Sequence, residues 1–535
     1  MPTPTQLPAQ RPPDDAPAAA RALSHSEATR LLCAGVHLDQ RFRRRVIEEL
    51  VEHEERHVAP SLGLDVEPVL AHALLGRRRE AATAGWLLAV WALFLVLAFA
   101  AGGSGSAPLA VPAYAAVCVW LWLARVLSGQ SAAVYAAEGR PAGLIARWRY
   151  RAAWGMRFGA RCAMAAYLLG GVFVFGPLAL ALPAVLVLPV WAHRAWFDRV
   201  LRDELSRESF RRREPLRLPP SYARVREAIA REQHATLAIY DSFQPFVGYG
   251  RPYEPWSFAI ELRPVGGTQK STPLTARRVV ELVAERVWAL RTPAVAHSAD
   301  RLRGLTVEHL AYLPPAPRRG RVSYEPGAVG EQVAVAIDEG GEGRRYFMRV
   351  RVGAWNEQIV VSVLVRVHTQ GGMLVLEVVP HVLTPVRPEF RAADALAARA
   401  GGGGVRNVVR AVTSSPTAVF ASALSGARTL LSVYRHWLAD PARLPAEGPA
   451  ASVRELGSAG EVSLFQEMDI SRYVKTVQDR IASGVTEALR ETGYETDEFK
   501  QQVVHVSRGG VFIGEMSGGA VASGEGATAH AEGGA

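Results

Sequence analysis

The feature that most constrains the fold is a series of long uncharged apolar segments within the first 200 residues. Residues 81–101 (AATAGWLLAVWALFLVLAFAA) contain no charged side chain, and about 20 such residues are enough to cross ~30 Å of hydrocarbon as a helix. A second apolar segment covers 109–124, and a longer uncharged run covers 163–192. The sequence therefore predicts an integral membrane protein with helical spans.

The run at 163–192 predicts a helical hairpin, because Gly176-Pro177 interrupts it and proline ends or kinks a helix. Its two spans are then 158–175 and 178–195. Arginines flank the predicted hairpins, and such residues favour the cytoplasmic side; they include Arg77, Arg78, Arg79, Arg125, Arg194 and Arg199. We expect four spans in the plasma (inner) membrane with both termini cytoplasmic; three spans are the alternative.

Regions with the composition of soluble protein lie on both sides of the apolar segments. The predicted order is a Pro- and Ala-rich disordered tail (1–20), a cytoplasmic helical region (21–80), a transmembrane domain (81–200), a cytoplasmic α+β domain (215–400), a helical region (405–500) and a Gly-rich tail (505–535). The fold class is therefore membrane α-helical, with about four spans in two hairpins, plus a cytoplasmic α+β domain.

Alternating apolar and polar residues predict the strands of this α+β domain. The clearest signal is 345–379, where three such runs are separated by GAWNE and HTQGG; the short connections indicate an antiparallel β-meander. Residues 256–262 and 333–337 also alternate as strands, and 275–290 has the pattern of a helix.

Two further segments have helical patterns of uncertain environment. The stretch 417–438 is long enough for a fifth span, but Arg428, Arg435 and His436 favour an amphipathic helix that packs on protein or lies at the membrane interface. The segment 470–489 has one apolar stripe at helical spacing, formed by Ile470, Tyr473, Val474, Val477, Ile481, Val485 and Leu489. Such a stripe packs in a core or binds a partner helix.

The glycine-rich end offers a second route to association. Residues 509–535 are mainly Gly and Ala, interrupted by Val511, Phe512 and Ile513. This pattern is typical of a flexible tail; the alternative is a short β-arch that pairs with copies of itself. A protein partner or self-association would thus use 470–489 and 509–535.

The one segment with a catalytic pattern is His53-Glu54-Glu55-Arg56-His57, which fits H-E-x-x-H. On a helix, His53 and His57 share a face and could bind Zn²⁺, while Glu54 would activate water. Asp65, Glu67 and His72 are the nearest candidates for a third ligand. The alternative is a solvated, charged helix face, for which no cofactor is expected.

A second segment, Phe246-Val247-Gly248-Tyr249-Gly250, is close to the potassium-channel filter TVGYG. It lies far beyond the last predicted span, so a pore is not expected. An aromatic loop packed over the sheet is the simplest interpretation, and the alternative is an anion-binding loop formed by backbone amides and Arg251.

The net charge of +10 raises nucleic acid as a partner, but no zinc-finger spacing, RNP-type strand or basic region followed by heptads accompanies it. The charge sits beside the membrane, so the lipid bilayer is the expected partner and nucleic acid is not.

In order and composition the chain resembles the uncharacterised multi-pass membrane proteins of Streptomyces and related actinobacteria. The resemblance rests on 59–74 (APSLGLDVEPVLAHAL), on the meander, on 469–481 (DISRYVKTVQDRI) and on the Gly-rich tail, and it implies no activity. The main hypothesis is a non-enzymatic membrane protein whose cytoplasmic region binds a partner or self-associates, as a scaffold or sensor. The alternatives are a membrane-anchored zinc-dependent hydrolase using His53, Glu54 and His57, and headgroup recognition by the arginine-rich cytoplasmic loop.

Overall fold

The computed structural model describes residues 22–100, 109–127, 144–176, 178–265, 272–294, 300–316, 319–339, 341, 343–400, 404–438 and 445–507. The tail predicted at 1–20 and the segment 509–535 lie outside these residues.

Helices account for most of the described chain. In chain order they are α1 (Glu27–Leu38), α2 (Gln40–Ile47), α3 (Val66–Ala100), α4 (Ala110–Leu127), α5 (Leu144–Phe175), α6 (Leu178–Arg199), α7 (Arg207–Arg212), α8 (Ala223–Glu232), α9 (Ala276–Trp288), α10 (Arg291–Ala294), α11 (Pro326–Asp338), α12 (Pro388–Ala400), α13 (Gly404–Leu438), α14 (Val453–Leu456), α15 (Leu464–Glu491) and α16 (Asp497–Ser507).

The apolar helices form one bundle. Among the residues that the structure describes, three helices are long and apolar enough to cross a membrane, Val66–Ala100, Trp154–Phe175 and Ala179–Glu204, and a shorter apolar helix covers Ala110–Ala124. Their shared core includes Leu87, Phe94, Tyr114, Cys118, Leu182 and Leu186. Many large apolar side chains on the outside of the bundle are exposed, Phe173 by 91% and Leu169 by 75%, as expected for helices whose outer surface faces lipid.

A helical unit lies at one end of this bundle. It brings together α1, α2, the first turns of α3, the end of α6, α8 and α12, which share one core. That core is built from distant parts of the chain, including Leu32, Phe42, Val69, Phe197, Leu201, Ile229, Phe390 and Val453. The beginning of the first apolar helix and the end of the last therefore enter the same packed unit.

The sheet domain contains a mixed seven-stranded sheet. Its strands are β1 (Leu237–Ile239), β2 (Arg251–Pro252), β3 (Trp256–Glu261), β4 (Thr306–Leu313), β5 (Arg345–Ala354), β6 (Ile359–Gln370) and β7 (Met373–Leu383). The order is β1-β4-β5-β6-β7-β2, and β3 also pairs with β7. The segment 345–379, expected as a three-strand antiparallel meander, contributes β5, β6 and the first part of β7. The observed sheet differs from that expectation in having four further strands and a parallel pair, β1 with β4.

The two faces of the sheet are covered differently. Helices α9, α11 and α15 cover one face with a large apolar core. A smaller core covers the other face, where Leu62 of the helical unit and Tyr249 of the loop before β2 pack on Leu310, Phe347 and Leu364. The sheet domain thus packs directly against the helical unit.

Two local predictions are wrong. Residues 333–337, expected as a strand, lie in α11, because Val329, Val333, Ala336 and Ile337 are buried at helical spacing. The helix on which His53 and His57 would share a face does not extend over them: α2 stops at Ile47, a π-helical turn covers Glu48–Glu52, and residues 53–57 form a turn and an isolated bridge to Glu447.

Candidate functional site

The H-E-x-x-H segment lacks the helical geometry on which the zinc hypothesis rests. The Nδ1 atom of His53 lies 2.7 Å from the Glu55 carboxylate, whereas His57 is buried against the sheet domain. The carbonyl oxygen of Glu54 accepts a hydrogen bond from Arg319. In the part of the chain that the structure describes, no group of three His, Cys, Asp or Glu side chains is arranged to hold a metal ion.

The residues named as third ligands also have other partners. Asp65 accepts a hydrogen bond from Gln233, Glu67 accepts one from the amide of Leu218, and the Nδ1 atom of His72 lies 3.3 Å from Nε2 of His37. These contacts hold the helical unit together.

His57 belongs to a buried polar cluster that joins the helical unit to the sheet domain. Glu232, at the end of α8, accepts hydrogen bonds from Arg319 at 2.7 Å and from the amide of Val58 at 2.8 Å. Nδ1 of His57 lies 3.5 Å from Glu232 and 3.0 Å from the Tyr324 hydroxyl. Burial alone would raise the pKa of Glu232, but His57 and the Arg319 guanidinium hold that pKa below its usual value.

In the VGYG loop, the backbone amides that the alternative interpretation assigns to a bound anion have a partner within the chain. The amides of Gly248 and Gly250 both donate to Oε1 of Glu455, each at 2.8 Å. Both glycines have positive φ, 101° and 86°. A Cβ on Gly250 would lie 2.3 Å from the Val382 carbonyl oxygen, so only glycine fits there. The loop is therefore a structural junction filled by an internal carboxylate.

The apolar stripe predicted at 470–489 is part of the sheet domain core. Ile470, Val477, Ile481, Val485 and Leu489 are fully buried there, facing α9 and β6. This face of α15 is therefore occupied by the chain's own residues. Any surface that α15 offers to a partner lies on its other faces.

The first turn of α15 carries such a surface. Ser463 and Gln466 form a capping box that fixes the start of the helix. Just inside it, Leu464, Phe465 and Met468 are 75%, 71% and 60% exposed. Phe465 and Met468 follow Leu464 by one and four residues, so the three side chains lie on one side of the helix. This side differs from the one that carries the buried stripe.

A strained turn brings a tryptophan to the same place. Between β5 and β6, Trp355, Asn356 and Glu357 all have positive φ, between 53° and 63°, which is rare for residues other than glycine. The carboxylate of Glu357 pairs with Arg351. The indole nitrogen of Trp355 donates to Asp469 of α15 at 3.2 Å, while its ring remains 42% exposed.

We call Trp355, Leu464, Phe465 and Met468 the apolar patch. A pocket adjoins it, lined by Glu27, Leu31, Arg207, Trp355, Gln358, Arg391 and Gln466. An apolar centre with charged neighbours of both signs is typical of protein–protein binding surfaces. Backbone strain also concentrates at functional positions. The patch is therefore the candidate functional site.

Sequence patterns could have pointed to part of this site. Leu464 and Phe465 precede the stripe and do not share its phase, which is a signal for a second apolar surface. Trp355 looks like an ordinary hairpin residue, and its position beside α15 depends on a contact between residues 114 positions apart. No local pattern predicts that contact.

Comparison with known proteins gives one family match. Residues 255–519 match the family model of the AbeC-like domain. Neither the curated proteins nor the solved structures include a significant match. The matched segment begins at β3 and contains the apolar patch and α13, whereas the apolar helices α3 to α6 precede it. Residues 255–519 are thus similar to the AbeC-like domain, and they follow helices that are long and apolar enough to cross a membrane.

Proposed function

We propose that the chain is a four-span, non-enzymatic membrane protein that holds its AbeC-like domain at the cytoplasmic face and uses it to bind a protein partner. Membrane anchorage places such a domain where it can act as a scaffold or sensor.

The packing of the apolar helices supports an even number of spans. Val66 and Leu70, at the start of α3, share the core of the helical unit with Phe197, at the end of α6. This shared core supports a chain that leaves the membrane on the side where it entered. With α3, α5 and α6 as spans, an even number is reached when the shorter α4 crosses as well.

The distribution of charge supports a cytoplasmic location for the helical unit. Arginines cluster at the ends of α3 and α6 that enter it, at 77–79 and at 194, 199 and 202. Basic residues at span ends favour the cytoplasmic side. Because the sheet domain packs on the helical unit through Leu62, it shares that location.

The observation that carries the proposed binding function is the exposure of the apolar patch. Phe465 and Leu464 are more than 70% exposed although they lie in a rigid capped turn. Aromatic residues and methionine are enriched in binding surfaces, and a few such residues supply most of the binding energy.

The test is purification of the full-length protein from native membranes in a mild detergent. We expect a stoichiometric companion with the wild type and its loss from the triple variant Leu464→Ser/Phe465→Ser/Met468→Ser. A complex whose mass is a multiple of the chain would identify self-association. A variant that ends at Ser507 tests whether residues 508–535 contribute to binding of the companion.

The matched control is Phe243→Ser/Val265→Ser/Val335→Ser, which removes three exposed apolar side chains elsewhere on the sheet domain. It should keep the companion. A wild-type protein that emerges alone and monodisperse, or a companion that survives the triple substitution at the patch, contradicts the proposal.

A further inference from the structure

Helix α13 contacts three apolar helices, each near its basic end. Near the start of α13, Nη2 of Arg194 donates to Oγ of Ser414 at 3.2 Å. Further along, the rings of Phe420 and Trp122 lie 6.3 Å apart between centroids. Gly426 faces Ala84, and a Cβ placed on this glycine would lie 3.7 Å from the Cβ of Ala84. From 414 to 426 the helix advances by about 18 Å, at ~1.5 Å per residue.

The two ends of this stretch nevertheless reach the same level of the bundle. Thr83 and His193, the neighbours of Ala84 and Arg194, are joined by a hydrogen bond of 3.2 Å. If α13 ran parallel to the spans, its contacts at 414 and 426 would lie at different depths. Helix α13 therefore lies across the basic end of the bundle.

The side of α13 that faces the bundle has small residues. Ala411, Ser414, Ser415 and Ala418 are buried at helical spacing. Another side leaves large apolar residues exposed: Val408, Val409, Val412, Leu430, Leu431 and Tyr434, of which Leu430 is 72% exposed. These exposed side chains lie toward the two ends of α13, whereas Pro416 between them is buried.

A line of arginine positions separates the two sides. The sequence of α13 contains arginine at 406, 410, 428 and 435 and no Asp or Glu between 404 and 438. Successive positions are four, eighteen and seven residues apart, each close to a whole number of turns at about 3.6 residues per turn. All four positions therefore fall on one line along the helix.

We propose that α13 is an in-plane helix that binds the anionic phospholipids of the cytoplasmic leaflet. An exposed apolar side beside a purely basic line is the pattern of helices that lie in the headgroup region, where arginine attracts anionic lipid. The helix enters that region from a bundle that is itself in the bilayer. This inference rests on the proposed membrane location and adds a lipid partner to it.

The test measures lipid retained by the full-length protein. The protein in mild detergent is given equal amounts of phosphatidylglycerol and phosphatidylcholine with the same acyl chains, and bound lipid is quantified by mass spectrometry. We expect the wild type to retain phosphatidylglycerol preferentially. The variant R406Q/R410Q/R428Q/R435Q should lose most of this preference, by up to about fivefold for each arginine.

Two matched variants make the result specific. R286Q/R301Q/R303Q/R345Q removes the same charge from exposed positions of the sheet domain and should keep the preference. Replacement of the four α13 arginines by lysine should also keep it, because the charge is retained. An unchanged lipid preference in the α13 glutamine variant overturns the inference, as does loss of a protein companion from that variant without any change in retained lipid.

The same preparations are reconstituted in vesicles and scored for membrane insertion. A wild-type protein that inserts normally but has no anionic preference overturns this inference alone, whereas a wild-type protein that does not insert contradicts the proposed membrane location.

Discussion

At the scale of single residues, the sequence indicates the chemistry of a segment better than its partner. The VGYG loop packs over the sheet through Tyr249, as the main interpretation expects. The acceptor of its backbone amides is Glu455, about 200 residues later in the chain, and not an external anion as the alternative interpretation suggests. The H-E-x-x-H segment shows the opposite case. Its residue types suit zinc, but the helix that would align them ends at Ile47, and His57 turns toward Glu232 and Tyr324.

The cluster around Glu232 predicts an acid-sensitive junction. A carboxylate whose pKa is lowered in the folded state stabilises it above the usual pKa of 4.5, and this stabilisation is lost as the pH falls through the lower folded value. We expect Glu232→Gln to lower the unfolding free energy at pH 7 by about 3 kcal/mol. Its melting temperature should then depend less on pH in the acid range than that of the wild type.

Thermal unfolding in detergent between pH 3 and pH 7 checks this expectation. Glu461→Gln, at an exposed position, is the control and should follow the wild type. Parallel pH profiles for the wild type and Glu232→Gln would show that Glu232 does not carry the acid sensitivity.

At the scale of elements, the spacing of apolar residues predicts those helices and strands that bury a single side. It is less informative for a short segment whose spacing fits both a helix and a strand. The stripe at 470–489 becomes the buried face of α15, and the strand pattern at 256–262 corresponds to β3 (Trp256–Glu261). Residues 333–337 alternate, yet Pro326 occupies the start of a helix that buries Val329 and Val333 one turn apart. Length and flanking residues decide such cases.

The turn between β5 and β6 makes a prediction at this scale. Asn356 has a φ of 56° between two other residues of positive φ, a conformation that glycine adopts without strain. We expect Asn356→Gly to raise the melting temperature by a few degrees, equivalent to up to about 1 kcal/mol. Asn356→Ala should lower it, because alanine tolerates this conformation less well than asparagine. Equal melting temperatures for both variants would mean that the turn holds no strain at this position.

At the scale of the whole molecule, the sequence predicts the membrane character but not how the parts combine. The two helices of the predicted 405–500 region pack in different cores, α13 on the bundle and α15 on the sheet. Helix α12, within the predicted α+β domain, places Phe390 in the helical unit. Such assignments depend on contacts between distant residues, which composition and periodicity do not encode.

The parity argument predicts a labelling pattern. On a background in which Cys33, Cys118 and Cys162 are replaced by serine, Leu109→Cys and Gly176→Cys should react with an impermeant maleimide added outside intact cells. Glu214→Cys and Arg286→Cys should react only after the membrane is opened, because both follow the last of the four proposed spans.

Labelling of Glu214→Cys from outside would instead support three spans. It would contradict the inference that the start of α3 and the end of α6 lie on the same side of the membrane because they share a core. Arg286→Cys provides a check from the sheet domain, since it should always behave like Glu214→Cys.

The helical unit has a consequence for biosynthesis. Its core needs Leu32 and Val69 from the beginning of the chain, Phe197 from the end of α6, Phe390 from α12 and Val453 from α14. During translation, the apolar helices and all seven strands leave the ribosome before the last of these segments does. The amino-terminal helices therefore remain incompletely packed until the apolar helices and most of the rest of the chain have been synthesised. Long-range assembly of this kind is slow, and the incomplete state exposes apolar surface.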